Sequence, residues 1–322
     1  MDISIIIVNY NAKNHLRNCL NSIYTTVHNI SYEIIVVDNA SSDGSQAMVV
    51  TEFPQVHLIK NERNYGFGAA NNQALALTGG RYALLLNTDT VLKERAVSEL
   101  FSFMETHPDA AMACGQLLNA DGSKQNSIAP FPSLWTLLFN LPLLEKLFPQ
   151  KYPSKRYDYE NPIEVDSGIG ACLLVRQQAI NAVGFFDERY FFFFEETDWA
   201  LRMKNAGWKV FHVPSAHIYH LQGQSIGHDI RSRLEFYRSR YQFFRKWNAY
   251  SYYLLISFII FFRLIFNWLL TSIANVLTVG RSREMRNKWN IYSQLILWHL
   301  KGRPYWKRRG TESSQPLASQ IK

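Results

Sequence analysis

The sequence predicts an α/β fold of Rossmann-like layering, followed by a basic, apolar α-helical C-terminal region. Three observations carry this reading. Short β-rich runs alternate with helical patterns through the first hundred residues. Those runs, IIIV, EIIVVD and YALLLN, are continuously apolar, as strands are when a parallel sheet is covered on both faces. The net charge of +8 is uneven: residues 231–322 carry +14, leaving −6 for residues 1–230.

Taken in order, strands are expected at Ser4–Val8, Glu33–Asp38, Val56–Lys60 and Tyr82–Asn87. Helical patterns lie between and after them, near His15–Tyr24, Ser45–Thr51, Gly68–Ala76 and Lys93–His107. From about Gly115 to Tyr159 the pattern breaks, apart from the apolar piece WTLLFNLPLLEKLF (Trp135–Phe148), which reads as a flap or an amphipathic helix. Order returns with a strand at Cys172–Arg176 and a helix at Gln177–Val183 ended by Gly184. Another strand follows at Lys209–Val213, and then AHIYH leads into a polar loop.

Composition bounds the answer. With 322 residues, 47% hydrophobic and 19% charged, the chain has enough apolar surface for a large core plus an appendage. Cys19, Cys114 and Cys172 lie far apart in apolar runs without metal spacing, so they read as small hydrophobes in a reducing compartment. The start, MDISIIIVNYN, has an acidic residue and only a strand-length apolar run, so no signal peptide is expected and the protein is placed on the cytoplasmic side.

Ligands of such sheets bind beyond the carboxyl ends of the strands. Polar residues collect there: Asn9 and Asn11, Asp38 to Asp43, and Asn87 to Asp89. In VVDNASSDGS, Asp38 suits a base N–H, although an ordinary turn with Asp43 or Ser45 capping a helix explains the stretch as well. NERNYGFGAANNQAL offers Gly66 and Gly68 but has Asn71 where a third glycine is needed, which argues against a nicotinamide-dependent dehydrogenase. Asp89 in LLLNTDT suits a hard divalent ion carrying a diphosphate, or equally a helix cap. In AHIYH, His217 and His220 fall on opposite strand faces or on a turn.

FFFFEETDWALRMKNAGW (residues 191–208) sets four phenylalanines against three carboxylates. A helix beginning near Glu195 would hold Glu195, Glu196 and Asp198 in its first turn, where the helix dipole favours their ionised forms. An ionised carboxylate against an apolar wall is a general base; the bland reading is helix-start electrostatics alone.

In their order along the chain, IIIVNYN, VVDNASSDGS, NYGFGAANN, LLLNTD, GACLLVR and FFFFEETDWALRMKNAGWKVFHVPSAHIYH resemble the family 2 glycosyltransferases, over roughly residues 3–225. Within that family the rhamnosyltransferase-like branch of bacterial surface-polysaccharide enzymes looks most similar. The resemblance implies a GT-A domain over 1–230 and inverting transfer from a nucleotide-diphosphate sugar; residues 231–322 are expected, from their charge and apolar content, to form a membrane-associating helical region. It implies that Asn9, Tyr10, Asn11 and Asp38 line the nucleotide pocket, with Asn71 and Asn87 near the donor. Asp89 corresponds to the surviving carboxylate of a D-x-D motif, with His220 joining it on Mg²⁺ or Mn²⁺. Glu196 corresponds to the catalytic base, Glu195 is the next candidate, and Asp198 orients its neighbours or caps the helix. The sequence departs from the strict motif at Asn87, where the lost charge weakens the expected hold on the ion.

The basic tail calls for an anionic partner, nucleic acid or membrane, and its apolar content favours membrane. Tyr250 to Val279 is long enough to cross a bilayer, but Arg263 and Asn267 share one face at its middle, and both flanks are basic. A single crossing would force one basic flank outward, so a helix lying in or re-entering from the cytoplasmic interface is preferred. Helix packing on the enzyme or in a dimer is the structural alternative. With a lipid-linked or glycan acceptor, the transferase reading explains motifs and tail together. A sugar nucleotidyltransferase would want a Gly-rich, basic N-terminal signature that IIIVNYN lacks. A non-catalytic membrane-binding protein leaves EETDW unexplained.

Overall fold

The computed structural model describes residues 1–154, 157–221, 230–279 and 281–302. It divides into two compact units, Met1–Ile256 and a second beginning at Ser257. The first half of the sheet is the expected alternation: β1 (Ile3–Asn9), α1 (Lys13–Thr26), β2 (Tyr32–Asp38), α2 (Ser45–Glu52), β3 (His57–Lys60), α3 (Phe67–Leu75) and β4 (Tyr82–Asn87). β3, β2, β1 and β4 pair parallel in that spatial order. Their register sets Asn9 beside Asp38 and Val8 beside Asn87, so three strands end their polar residues at one edge.

Beyond β4 the chain adds β5 (Thr90–Leu92), α4 (Ala96–Thr106) and β6 (Ala110–Leu118). Next come β7 (Ile128–Ala129), α5 (Leu134–Leu138), α6 (Leu141–Leu147), β8 (Ile163–Val165), β9 (Ser167–Gly168), β10 (Cys172–Arg176) and α7 (Gln177–Val183). α8 (Glu195–Asn205), β11 (Lys209–His220) and α9 (Ile230–Trp247) follow in the same unit. The sheet is mixed rather than parallel throughout. β10 inserts antiparallel between β4 and β6, and β11 runs parallel to β6 with β5 and β8 antiparallel against it.

The apolar runs are continuous because both faces of the sheet are covered. Ile3, Ile5 and Ile7 pack toward Leu16, Leu20 and Ile23 of α1, together with Val97 and Leu100 of α4. Ile6, Ile35 and Leu85 point the other way, toward Ala70 and Ala74 of α3 and Trp199 of α8. The three cysteines are buried and unpaired, as small hydrophobes would be.

Two stretches differ from the sequence reading. β6 is a fully buried strand that fills the unassigned stretch after His107 and runs into the expected broken pattern at Gly115, because alanine, glycine and glutamine in AAMACGQLL carry little strand signal of their own. The region around Trp135–Phe148 forms two short helices, α5 and α6. The polar loop expected after His220 and the basic segment after Gly302 lie outside the described residues.

α10 (Tyr250–Leu277) and α11 (Arg283–Leu300) are the last elements among the described residues, and the division between units falls inside α10. It therefore differs from the expected boundary at 230/231 by α9, whose Phe236 and Phe243 pack against Phe194. In the second unit, Trp268 donates to Ser293 and Trp289 donates to Ser272, lacing α10 to α11. The other side of α10 leaves Phe258, Phe262, Phe266, Ile273 and Leu277 exposed at helical spacing.

Candidate active site

The carboxyl edge of β1 and β2 carries a polar network. The Asn9 amide donates to Asp38 at 2.7 Å and to the Ser41 hydroxyl at 3.0 Å. Asp38 also accepts from the Ser41 backbone N–H and from Gln46. Asn11, in the left-handed region at φ 51°, accepts from the Ser42 N–H, and its own N–H reaches Ser41. Tyr10 stands exposed beside them. The Asn9 side-chain oxygen, Oδ1, is buried without a hydrogen-bond partner among the described residues, a cost the fold carries unless a donor arrives from outside.

Asp43 accepts from the N–H of Lys13 at the start of α1 and from Ser45. It thus satisfies two helix N-termini at once, and these bonds hold its carboxyl below the usual range despite partial burial.

The β4–β5 turn and the end of β11 bring Asp89 and His220 together. β5 pairs with β11 so that Thr90 lies opposite His220, and the Leu221 N–H donates to the Asp89 carbonyl. His220 is therefore on a strand, and its Nε2 lies 3.4 Å from Asp89 Oδ1. Both side chains are buried, and that carboxylate oxygen has no hydrogen-bond partner among the described residues. A buried carboxylate oxygen facing an imidazole nitrogen is a donor set suited to a divalent cation. Among the described residues no group of three or more His, Cys, Asp or Glu side chains forms an ion cage, so water or a ligand such as a diphosphate would complete the shell. The residues present fit the expected ion in that partial sense. His217 lies three residues earlier on the same strand and is only partly buried.

The acidic pair opens α8. The four phenylalanines before it form a bend and not a strand; Phe193 and Phe194 have φ of 68° and 71°, where bulky residues rarely sit. Packing holds them there: Phe193 and Phe194 meet Phe236, and Phe67 donates its N–H to the Phe191 carbonyl. Gly66, at φ 94°, lies against Phe191 so closely that a Cβ would come within 2.5 Å of its carbonyl oxygen. Backbone strain of this kind at a helix start fixes where the next side chains go.

Glu195 is buried, with one oxygen lacking a hydrogen-bond partner among the described residues, and Glu196 is half-buried beside Gly170. The adjoining Ala171 carbonyl accepts from the Asn87 N–H, so the loop against Glu196 also holds the end of β4. Burial, reinforced by the neighbouring Glu196, raises the Glu195 carboxyl well above its ordinary range. Burial also pushes Glu196 up to about 7. This corrects the expectation that the helix dipole keeps the pair ionised: desolvation outweighs the dipole here.

Asp198 does not cap α8. It is fully buried and accepts from Arg202, Lys246 and the Trp247 indole, tying α8 to α9. Asn71 is buried within α3 and donates to the Phe67 carbonyl.

Sequence reasoning missed several residues. Asn72 exchanges two hydrogen bonds with the backbone of Phe186 and so ties α3 to the segment before the phenylalanines. Asn39 bridges the β2 end to the Gly66 carbonyl and to Asn61. The density of asparagines in NERNYGFGAANN was the available signal. Gln125, whose side-chain amide bonds to His220, had none.

The pattern of the family described as glycosyl transferase family 2 matches residues 4–184, more than half of the chain. An N-acetylglucosaminyl-diphospho-decaprenol L-rhamnosyltransferase of Mycobacterium tuberculosis is 29% identical over 245 residues, covering 71% of this chain and 79% of that protein. The rhamnosyltransferase WbbL of Escherichia coli K12 is 28% identical over 236 residues, covering 71% and 85%. In fold, the chain is similar to a mannosyltransferase from Pyrobaculum calidifontis solved with GDP-Man and Mn²⁺, with TM-score 0.55 and 14% identity over 93% of this chain and 86% of that one. A GT-A-type mixed sheet and a family match over most of that sheet lead to one conclusion: the chain belongs to glycosyl transferase family 2 and is a rhamnosyltransferase-like glycosyltransferase.

Proposed function

We propose that this enzyme transfers a sugar of the rhamnose type from a nucleoside-diphosphate donor to a hydroxyl of a lipid-linked glycan, with inversion at the anomeric carbon. The work is done at the cytoplasmic face of a membrane, in the synthesis of a surface polysaccharide. The observation that carries the chemistry is the position and state of Glu196. It stands beside Gly170, one residue from the backbone bond that holds the β4 end, and its carboxyl is raised to about 7. A base of that strength takes a proton most effectively near neutral pH.

Each residue then has a task. Asn9 offers its unpaired side-chain Oδ1 to an N–H of the base, while Asp38, Asn11 and Tyr10 shape the nucleoside pocket; Asn71 and Asn87 are assigned to the donor. Asp89 and His220 would hold Mg²⁺ or Mn²⁺. That ion, when bound, offsets the charge of the departing diphosphate. Glu196 accepts the proton of the acceptor hydroxyl as it attacks opposite the leaving group. Glu195, more deeply buried, keeps its own proton and so lets Glu196 alone carry the charge.

Membrane association is supported from two places. α10 is long and apolar enough to cross a bilayer, with mean hydropathy 2.1 over an 18-residue stretch, and one of its faces is exposed. In the first unit, Trp135, Leu138, Phe139, Leu143, Leu147 and Phe148 all stand exposed on and after α5 and α6, with Lys146 and Lys151 among them. The Leu134 N–H donates to the Tyr252 hydroxyl, joining this patch to the first turn of α10. Exposed aromatics flanked by lysines suit an anionic lipid interface.

A thermal-shift series of nucleoside-diphosphate sugars, with and without Mn²⁺, tests the donor and the ion together. A specific stabilisation by one donor is expected. A uniform lack of response would overturn the donor assignment.

A further inference from the structure

We propose that Gln125 is a positioning residue for the cation, locking the His220 ring so that Nε2, and not Nδ1, faces Asp89. This rests on the assignment of Asp89 and His220 to the ion made above.

Gln125 is itself held fast. Its N–H donates to the Leu117 carbonyl at 2.8 Å and its carbonyl accepts from Gln116 at 3.1 Å, pinning it against the end of β6. The buried side chain then spends both ends of its amide on one residue. Gln125 Nε2 donates to the His220 carbonyl at 2.5 Å. A carbonyl can only accept, so this bond fixes which end of the amide is nitrogen. Gln125 Oε1 is thereby left 3.0 Å from His220 Nδ1. Oε1 also can only accept, so Nδ1 must carry the proton.

In the neutral ring the lone pair is therefore on Nε2. It faces Asp89 Oδ1 at 3.4 Å, an oxygen that is buried and receives no hydrogen bond among the described residues. Two buried electron pairs opposed in this way repel each other unless a cation lies with them. Histidines that bind metals usually donate their second N–H to a carbonyl or carboxylate, which sets the tautomer and raises the basicity of the ligating nitrogen. The amide of Gln125 does this and also anchors the strand end that bears the ring.

The test titrates Mn²⁺ alone into the full-length protein, reading free Mn²⁺ by its EPR signal and bound Mn²⁺ by pulsed-EPR coupling to ¹⁴N. Wild type is expected to show imidazole nitrogen coupling that disappears in His220→Asn. Gln125→Met, of similar volume, should weaken Mn²⁺ binding by about 10–100-fold and diminish the coupling at saturating Mn²⁺. Gln125→Glu keeps an acceptor for Nδ1–H and should retain the coupling. Gln125→Met binding Mn²⁺ as wild type does, with the coupling intact, overturns the proposal. So does equal loss in both variants accompanied by the same fall in metal-free thermal midpoint, which would make Gln125 a packing residue only. If wild type and His220→Asn bind Mn²⁺ equally, the ion site itself fails, and the proposal with it.

Discussion

The Lys246 ammonium lies 2.7 Å from the carboxylate of Asp198, which has no exposed surface. Asp198 also receives Arg202 at 3.0 Å and the Trp247 indole at 2.8 Å. One buried anion thus holds two cations and two helices, and α8 is the helix that begins with the acidic pair. Removing the anion leaves both cations without their shared partner, a change that costs about 3–5 kcal/mol for a buried pair. Asp198→Ala is expected to lower the thermal midpoint strongly, and Lys246→Met less, because Arg202 remains. A thermal midpoint for Asp198→Ala within a degree of wild type would show that the network does not hold α9 in place.

The state of Glu196 predicts how activity follows pH. A base with a carboxyl near 7 is charged only above that value, so kcat/KM should rise through about pH 7 and level off beyond it. Glu196→Gln should lower kcat by about 10²–10⁴-fold while donor binding persists. Transfer at the wild-type rate by this variant would remove Glu196 from the chemistry.

The same group carries a stability signature with a defined sign. Its carboxyl is raised from 4.5 to about 7 on folding, so between those values the folded protein binds more protons than the unfolded chain. Stability tied to Glu196 is therefore complete below about pH 4.5 and is lost as pH rises through 7. Relative to wild type, Glu196→Gln should gain about 2–4 °C in thermal midpoint at pH 8, the equivalent of ~1 kcal/mol in a chain of this size, and little at pH 5. An equal gain at both pH values would mean that the carboxyl titrates normally.

The sequence and the structure agree most closely where local signals and burial coincide. β4, β10 and α7 have the boundaries their apolar runs and flanking residues indicate. Asn9, Asp38 and Asn87 could be seen to share an edge because parallel strands put their carboxyl ends together. Asp89 and His220 are a different case: only the pairing of β5 with β11 brings them into contact, across 131 residues of chain. The insertion of β10 and the burial of β6 are likewise tertiary choices, unreadable in alanine-rich AAMACGQLL. The left-handed backbone at Phe193 and Phe194 contradicts every local propensity, and only the surrounding aromatic packing explains it.

Asn87 offers a gain-of-function test of the ion site. It stands two positions before Asp89 at the end of β4, where a carboxylate would add a charged oxygen. Asn87→Asp should tighten Mn²⁺ binding severalfold, since affinity for hard cations follows ligand charge. Asp89→Asn should weaken it by more than the 10–100-fold typical of groups outside the ligand set. Calorimetric titration reads both, and unchanged affinity in Asp89→Asn would take Asp89 off the ion.

The exposed patch on α5 and α6 can be followed directly, because Cys19, Cys114 and Cys172 are all buried. A cysteine replacing Trp135, which is 55% exposed, will take an environment-sensitive dye selectively under native conditions. On mixing with vesicles containing anionic lipid, the dye should shift to the blue and become accessible to quenchers placed in the acyl chains. Neutral vesicles should give a weaker response, and added salt should reduce it, since Lys146 and Lys151 contribute through screened attraction. Replacing Leu138, Leu147 and Phe148 by serine should weaken vesicle binding without lowering the thermal midpoint, as these side chains already face solvent. A dye at 135 that stays in water while the protein sediments with vesicles would assign membrane binding to the C-terminal helices alone.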